Sequence, residues 1–141
     1  MKEFILKYLF HLSSDKPGST VLKNFKAQFP EATNIDWSKE KDDIFEAIFR
    51  VNGIEIIAWF ERSGNWLKTE TNVQLEMLDE TIRHKLEAFG QIMSSILIET
   101  ADMKRHYEFI IRDSWQVRHV FITDNEGNVI DRRNFDEGEL L

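Results

Sequence analysis

Apolar positions change their spacing along the chain, and each change marks an element. Val21, Leu22, Phe25 and Phe29 recur at helical intervals between the turn cluster Asp15-Lys16-Pro17-Gly18-Ser19 and Pro30. This predicts a helix of about ten residues, capped by Ser19 or Thr20 and stopped by the proline. Ile35 and Trp37 then stand in a polar stretch that suits a short edge strand running into the charged turn 38–43. Asn52-Gly53 lies between two apolar runs, and Asn-Gly favours the two-residue type I′ hairpin turn. A further reversal at Arg62-Ser63-Gly64-Asn65 leads to a strand from Trp66 to about Thr71, with Gly64 supplying positive φ. Helical spacing returns at Leu75, Leu78, Ile82, Leu86 and Phe89, beginning at Asn72 or Asp79 and ending at Gly90. Four β-rich runs follow, at 92–100, 107–112, 115–123 and 128–133, separated by polar turns.

The Asn-Gly turn sets a register. With Val51 opposite Ile54, Phe49 meets Ile56, Ala47 meets Ala58 and Phe45 meets Phe60, so one hairpin face is wholly apolar and belongs to the core. The reverse face pairs Arg50 with Glu55, Ile48 with Ile57, Glu46 with Trp59 and Ile44 with Glu61. That mixture is too apolar for an ordinary solvated face. Ile48, Ile57 and Trp59, rimmed by Arg50 and Glu55, have the makeup of a contact patch for a protein or peptide, including a second copy of this chain. The hairpin loops join them as candidates, at Asn52-Gly53 and at 113–115, the latter carrying Trp115. The competing expectation is that an N-terminal arm carrying Phe4, Ile5, Tyr8, Leu9 and Phe10 folds over the patch.

The two halves of the chain resemble each other. Ile44-Phe45-Glu46-Ala47-Ile48-Phe49-Arg50 lies 62 positions before His106-Tyr107-Glu108-Phe109-Ile110-Ile111-Arg112. Ser63-Gly64-Asn65 lies 63 positions before Glu126-Gly127-Asn128, and the two helix ends at Phe29 and Phe89 lie 60 apart. Landmarks in the same order at near-constant offset predict two repeats, about 19–73 and 74–135, each a helix followed by an antiparallel meander. The expected α+β fold is one sheet with both helices on one face, preceded by an arm or short helix at 1–18 and followed by an acidic tail at 136–141.

The pattern Phe29-Pro30-x-Ala32-x-x-Ile35-x-Trp37, Phe45-Glu46, and Phe60-Glu61-x-x-Gly64-x-Trp66-x-x-Thr69-Glu70 resembles the PepSY-like tandem-repeat proteins, whose fold is similar to that of the β-lactamase inhibitor protein. The second half keeps Tyr107-Glu108 and the turn Asp124-Asn125-Glu126-Gly127 but lacks the tryptophans and the Phe-Pro proline. The resemblance implies a noncatalytic module that binds proteins or peptides, in bacterial envelope or secreted proteins. It implies no catalytic residues.

Composition narrows the function classes. Eighteen Lys+Arg against 25 Asp+Glu give a formal charge of -7, which disfavours phosphate backbones and anionic lipid, so neither nucleic acid nor membrane insertion is expected. Cysteine is absent, which removes disulfides, thiolate ligands and cysteine nucleophiles. The opening residues are interrupted by Lys2, Glu3 and Lys7, with no small-residue cleavage site after them, so a cytoplasmic location is expected if Met1 is the native start and a periplasmic or secreted one from the resemblance.

Candidate chemistry adds little. His11, His84, His106 and His119 show no zinc-ligand spacing and read as isolated solvated side chains. The run 124–131 looks like a calcium loop, but its glycine falls at the fourth position where an EF-hand has it at the sixth, so a hairpin turn is expected. Carboxylate pairs such as Glu46 with Glu61 are expected to be solvated, and no nucleophile elbow or phosphate loop is present. The expectation is a noncatalytic binding module without metal or cofactor. The alternative is a small-ligand or metal-sensing domain with a cavity between sheet and helices.

Overall fold

The structure, a computed structural model, describes residues 16–135. The elements run α1 (Ser19–Gln28), β1 (Thr33–Lys39), β2 (Ile44–Val51), β3 (Ile54–Glu61), β4 (Trp66–Asn72), α2 (Glu80–Glu87), β5 (Gln91–Thr100), β6 (Arg105–Arg112), β7 (Arg118–Asp124) and β8 (Val129–Asn134). All eight strands form one antiparallel sheet in chain order, so each strand pairs with its predecessor and successor and the sheet continues unbroken across residue 73. The calls on the arm before residue 16 and on the tail 136–141 lie outside the described residues.

The hairpin β2–β3 pairs in the predicted register, from Val51 with Ile54 to Ile44 with Glu61. Its apolar face meets α1. Phe25 is the hub there, with ring centroids 5.0 Å from Trp37, 5.0 Å from Phe49 and 6.0 Å from Phe60 in edge-on arrangements, which aromatic quadrupoles favour. Phe45, Ala47, Ile56 and Ala58 complete this cluster. Following the register across the sheet, Phe109, Ile111 and Phe121 project from the same face, and Leu78, Ile82 and Leu86 of the α2 region pack on them. Both helices therefore lie on one face, one over each end of the sheet.

Four reversals, at 61–65, 100–104, 113–117 and 124–128, share one hydrogen-bond pattern. In each, the first residue's N–H donates to the carbonyl of the fifth, and the fourth residue's N–H donates back to the carbonyl of the first, at 2.8–3.2 Å. The fourth residue has positive φ in every case: Gly64, Met103, Gln116 and Gly127. The two glycines coincide with helix contacts. A Cβ on Gly64 would lie 2.6 Å from Asn24 Nδ2 and 2.8 Å from Thr20 Cγ2 of α1, and one on Gly127 would lie 3.1–3.3 Å from Ile82 of α2. The helices bind these turns directly, through Asn24 Nδ2 donating to the Gly64 carbonyl at 2.9 Å and Lys85 Nζ donating to the Glu126 carbonyl at 3.0 Å.

Several predicted boundaries move. Gly18, not Ser19 or Thr20, occupies the α1 cap position, and no side chain caps it. The second helix is shorter than its apolar spacing suggested, because Leu75–Met77 forms a separate 3₁₀ turn and Asp79 caps α2 by accepting from the Thr81 and Ile82 N–H groups. The strand predicted from Trp115 begins only at Arg118.

Candidate functional site

The reverse face of hairpin β2–β3 is where sequence reasoning placed a contact patch. The structure brings Ile48, Ile57 and Trp59 together there, and β5 adds Ile96 and Ile98, with Ile44 and Leu67 at the margin. Arg50 and Glu55 pair across the strands at 3.1 Å, as their opposed register requires. Exposure corrects the functional reading, however. Ile48 is 8% exposed, Ile57 0% and Trp59 3%, so this is a second core layer and not an accessible patch. Residues on a sheet face are shielded by whatever lies above them, a property that strand register does not report.

This face also holds two acidic groups, of which Glu46 was expected in solvent. Glu46 is 1% exposed and accepts a hydrogen bond from Ser38 Oγ at 2.6 Å; Glu70, between Ile57 and Ile98 in register, is 4% exposed. Their signal was present in the alternation itself, since Glu46 falls between Ile44 and Ile48 in the middle of an apolar strand face. Lys68 Nζ lies 4.3 Å from the centroid of the Trp59 ring, a cation–π contact that covers part of the indole.

Trp115 has the opposite fate. It is 85% exposed, and it is the third residue of the turn 113–117, not on a strand. The turn is held from within. Asp113 Oδ1 accepts from the N–H groups of Trp115 at 2.9 Å and Val117 at 3.0 Å, while Asp113 Oδ2 lies 2.9 Å from Nε2 of His119. The His119 hydrogen bond, followed by those from the Val117 and Trp115 N–H groups, holds the Asp113 carboxyl below its ordinary range. His119 is thus not the isolated solvated histidine expected; its side chain is 12% exposed and engaged with Asp113. Because antiparallel strands alternate direction, the turns at Asn52-Gly53 and 113–117 emerge at the same end of the sheet, four strand spacings or about 19 Å apart.

A groove of about 490 Å³ runs between α2 and the sheet, lined by Asp79, Lys85, Arg105, Tyr107 and Glu126 among others. Burial raises the Tyr107 phenol above its ordinary pKa. Opposite charges share its walls, and among the described residues no group of three His, Asp or Glu side chains is arranged to hold a metal ion. No described helix is long and apolar enough to cross a membrane.

No family model matches this chain, and no curated protein matches it. Solved structures do. A DUF2874 family protein from Bacteroides ovatus is 23% identical with a TM-score of 0.73, covering 86% of this chain and 89% of its own. A protein from Bacteroides eggerthii, provisionally named periplasmic, is 18% identical with a TM-score of 0.72, covering 85% and 90% respectively. A BLIP-like protein from Bacteroides fragilis is 18% identical with a TM-score of 0.72, covering 89% and 93%. Likeness at this level is a likeness of fold: the chain has the α+β, BLIP-like arrangement of an eight-stranded antiparallel sheet with two helices.

Proposed function

We propose that this chain is a noncatalytic binding module that recognises a protein or peptide at the sheet end carrying turn 113–117. The observation that carries the reading is Trp115: an 85% exposed indole on a turn whose backbone is already fixed by Asp113. Large aromatic side chains supply contact area at low entropy cost, and a preformed turn removes the ordering cost that a mobile loop incurs on binding. The turn at Asn52-Gly53 flanks the same end and extends the surface. This keeps the hairpin loops and Trp115 of the predicted contact and drops the buried Ile48, Ile57 and Trp59.

Two finer elements belong to the same reading. The chain derives from a duplicated helix-plus-meander unit of PepSY-like type, a view supported by the parallel packing of α1 on the Gly64 turn and α2 on the Gly127 turn. Its place of work is the periplasm or cell exterior, a view supported by the provisional name of the Bacteroides eggerthii neighbour. The BLIP-like name of the Bacteroides fragilis protein accords with a binding role and none of the motifs accords with catalysis.

The test is selection from a displayed peptide library, followed by calorimetry of the enriched peptides on the wild-type chain and on Trp115→Ala. Binding at least tenfold weaker to Trp115→Ala supports the reading, and equal binding to both overturns it. The groove beside α2 supports the alternative, a small polar ligand held by Lys85, Arg105 and Tyr107. A ligand whose binding is lost in Tyr107→Phe or Arg105→Ala but unchanged in Trp115→Ala would favour that alternative.

A further inference from the structure

Arg50, Arg62, Arg83, Arg105 and Arg133 each lie 3.1–3.8 Å from a carboxylate oxygen of this chain. Arg112 and Arg132 do not: among the described residues neither has a carboxylate partner. Strand register explains the first. Arg112 stands between Gln91 on β5 and Arg118 on β7, and its Nη2 donates to Gln91 Oε1 at 2.7 Å. One cross-strand neighbour is neutral and the other carries like charge, so pairing across the sheet supplies it with no anion. Arg132 lies opposite Phe121 on the edge strand β8, with its guanidinium carbon 4.9 Å from the Phe121 ring centroid and 5.9 Å from that of Phe89. A guanidinium stacked on rings keeps its in-plane N–H groups for an acceptor.

Both arginines lie beside the turn that displays Trp115. Arg112 immediately precedes turn 113–117, and the three residues from it to Trp115 span at most about 11 Å. Phe121 is four residues past Val117, which places Arg132 about 13 Å from the turn along β7. They occupy opposite faces of the sheet: Ile111, next to Arg112, belongs to the core under α2, whereas Arg132 stacks on Phe121 of that same core. The exposed indole thus has a cation on either side. The turn's own carboxylate does not offset them, because Asp113 is engaged by His119 and by the Trp115 and Val117 N–H groups.

We infer that the partner held at Trp115 is an acidic peptide, with an apolar residue seated on the indole and Asp or Glu three or four positions away on either side. An extended segment advances about 3.3 Å per residue, so this spacing covers about 10–13 Å. The inference rests on the Trp115 reading and names the chemistry of its partner. Charge complementarity carries it. In a chain of formal charge -7, two guanidiniums without a carboxylate of their own bracket one exposed indole. A partner's carboxylate gains charge-assisted hydrogen bonds there without breaking an existing ion pair, whereas a neutral or basic peptide leaves both guanidiniums unmatched at the contact.

Calorimetry with two probes tests it: the most enriched peptide from a displayed library, and its amide form, in which every Asp and Glu is replaced by Asn or Gln. On the wild-type chain the amide form binds about tenfold more weakly or worse. Arg112→Gln and Arg132→Gln each weaken binding of the unaltered peptide about fivefold. Arg132→Lys, which keeps the charge, and Arg83→Gln, which removes the same charge from α2, stay within about twofold of wild type. Equal binding of the two peptide forms overturns the inference, and the Trp115 reading stands without it if Trp115→Ala still abolishes binding. That comparison uses only the wild-type chain, so it decides even where a variant does not fold. Arginine variants that bind like wild type overturn the inference too. Binding that survives Trp115→Ala, or a library that enriches nothing, overturns both readings. A free chain that sediments as a dimer dissociated by Trp115→Ala makes a second copy the occupant and overturns the acidic-peptide inference.

Discussion

Hairpins β2–β3 and β6–β7 are built from similar strands but close differently. The first turns through Asn52-Gly53 in two residues, and its strands are buried almost to the turn. The second turns through 113–117 with Asp113 bonded to the backbone N–H groups of Trp115 and Val117, and it sets Trp115 in solvent. The two-residue turn displays only the small side chain of Asn52, whereas the longer turn with its own hydrogen bonds holds a large one in place without help from the core. Burial makes the first hairpin a stability element, and the second carries the candidate contact.

The sharpest way to break this contrast is Phe49→Ala against Trp115→Ala. Phe49 is 1% exposed, and its truncation is expected to cost about 3–5 kcal/mol in urea unfolding through the cavity it leaves. A loss below about 1 kcal/mol would show that this hairpin is not the anchor described.

Glycine substitutions come next. Gly127 has φ +85 and Ile82 atoms within 3.1–3.3 Å of an added Cβ, so Gly127→Ala is expected to cost about 2 kcal/mol or more, strain and contact together. At Gly53, with φ +78 and open space around it, Gly53→Ala carries only the conformational cost of about 1–2 kcal/mol. Equal losses at the two positions would mean that the α2 contact adds nothing to the Gly127 turn.

The pH response of the second turn is smaller and has a definite sign. Because the folded-state Asp113 carboxyl is held below its ordinary pKa, its contribution is present above the unfolded carboxylate range near 4 and is lost as pH falls through the folded value. Protection of the Trp115 and Val117 amides, taken relative to the intrinsic exchange rate at each pH, should therefore fall as the Asp113 carboxyl is protonated, with that carboxyl titrating below its ordinary value by carbon NMR. A midpoint at or above the ordinary value would remove the His119 and backbone bonds as its cause. The smallest expected effect on stability is that of Trp115→Ala, within about 0.5 kcal/mol, as befits a side chain that touches little of the fold.

Much of the architecture was legible in local pattern. Alternation around Asn52-Gly53 determined all eight pairs of hairpin β2–β3, because side-chain period and turn type together leave one register that buries Phe45, Phe49 and Phe60. Helical spacing located both helices, and Asp79, one of the two starts the sequence offered beside Asn72, caps the second by accepting from the Thr81 and Ile82 N–H groups. The Gly64 and Gly127 turns were legible because positive φ at the fourth turn residue favours glycine.

What escaped the sequence was which apolar residues meet water. Ile48, Ile57 and Trp59 stand on the strand face that pattern left over, and only the layer above a sheet decides whether such a face is buried. At Trp115 the misreading was of the strand boundary: its β propensity pointed into a strand, but Asp113 bonds two residues and four residues ahead and stretches the turn past it. His119 was tied to that same carboxylate by a contact between a turn and the next strand, which no spacing motif records. Pairing is settled by neighbours in sequence and so can be read from the residues themselves, whereas exposure depends on segments far apart in the chain and was decided only by the tertiary structure.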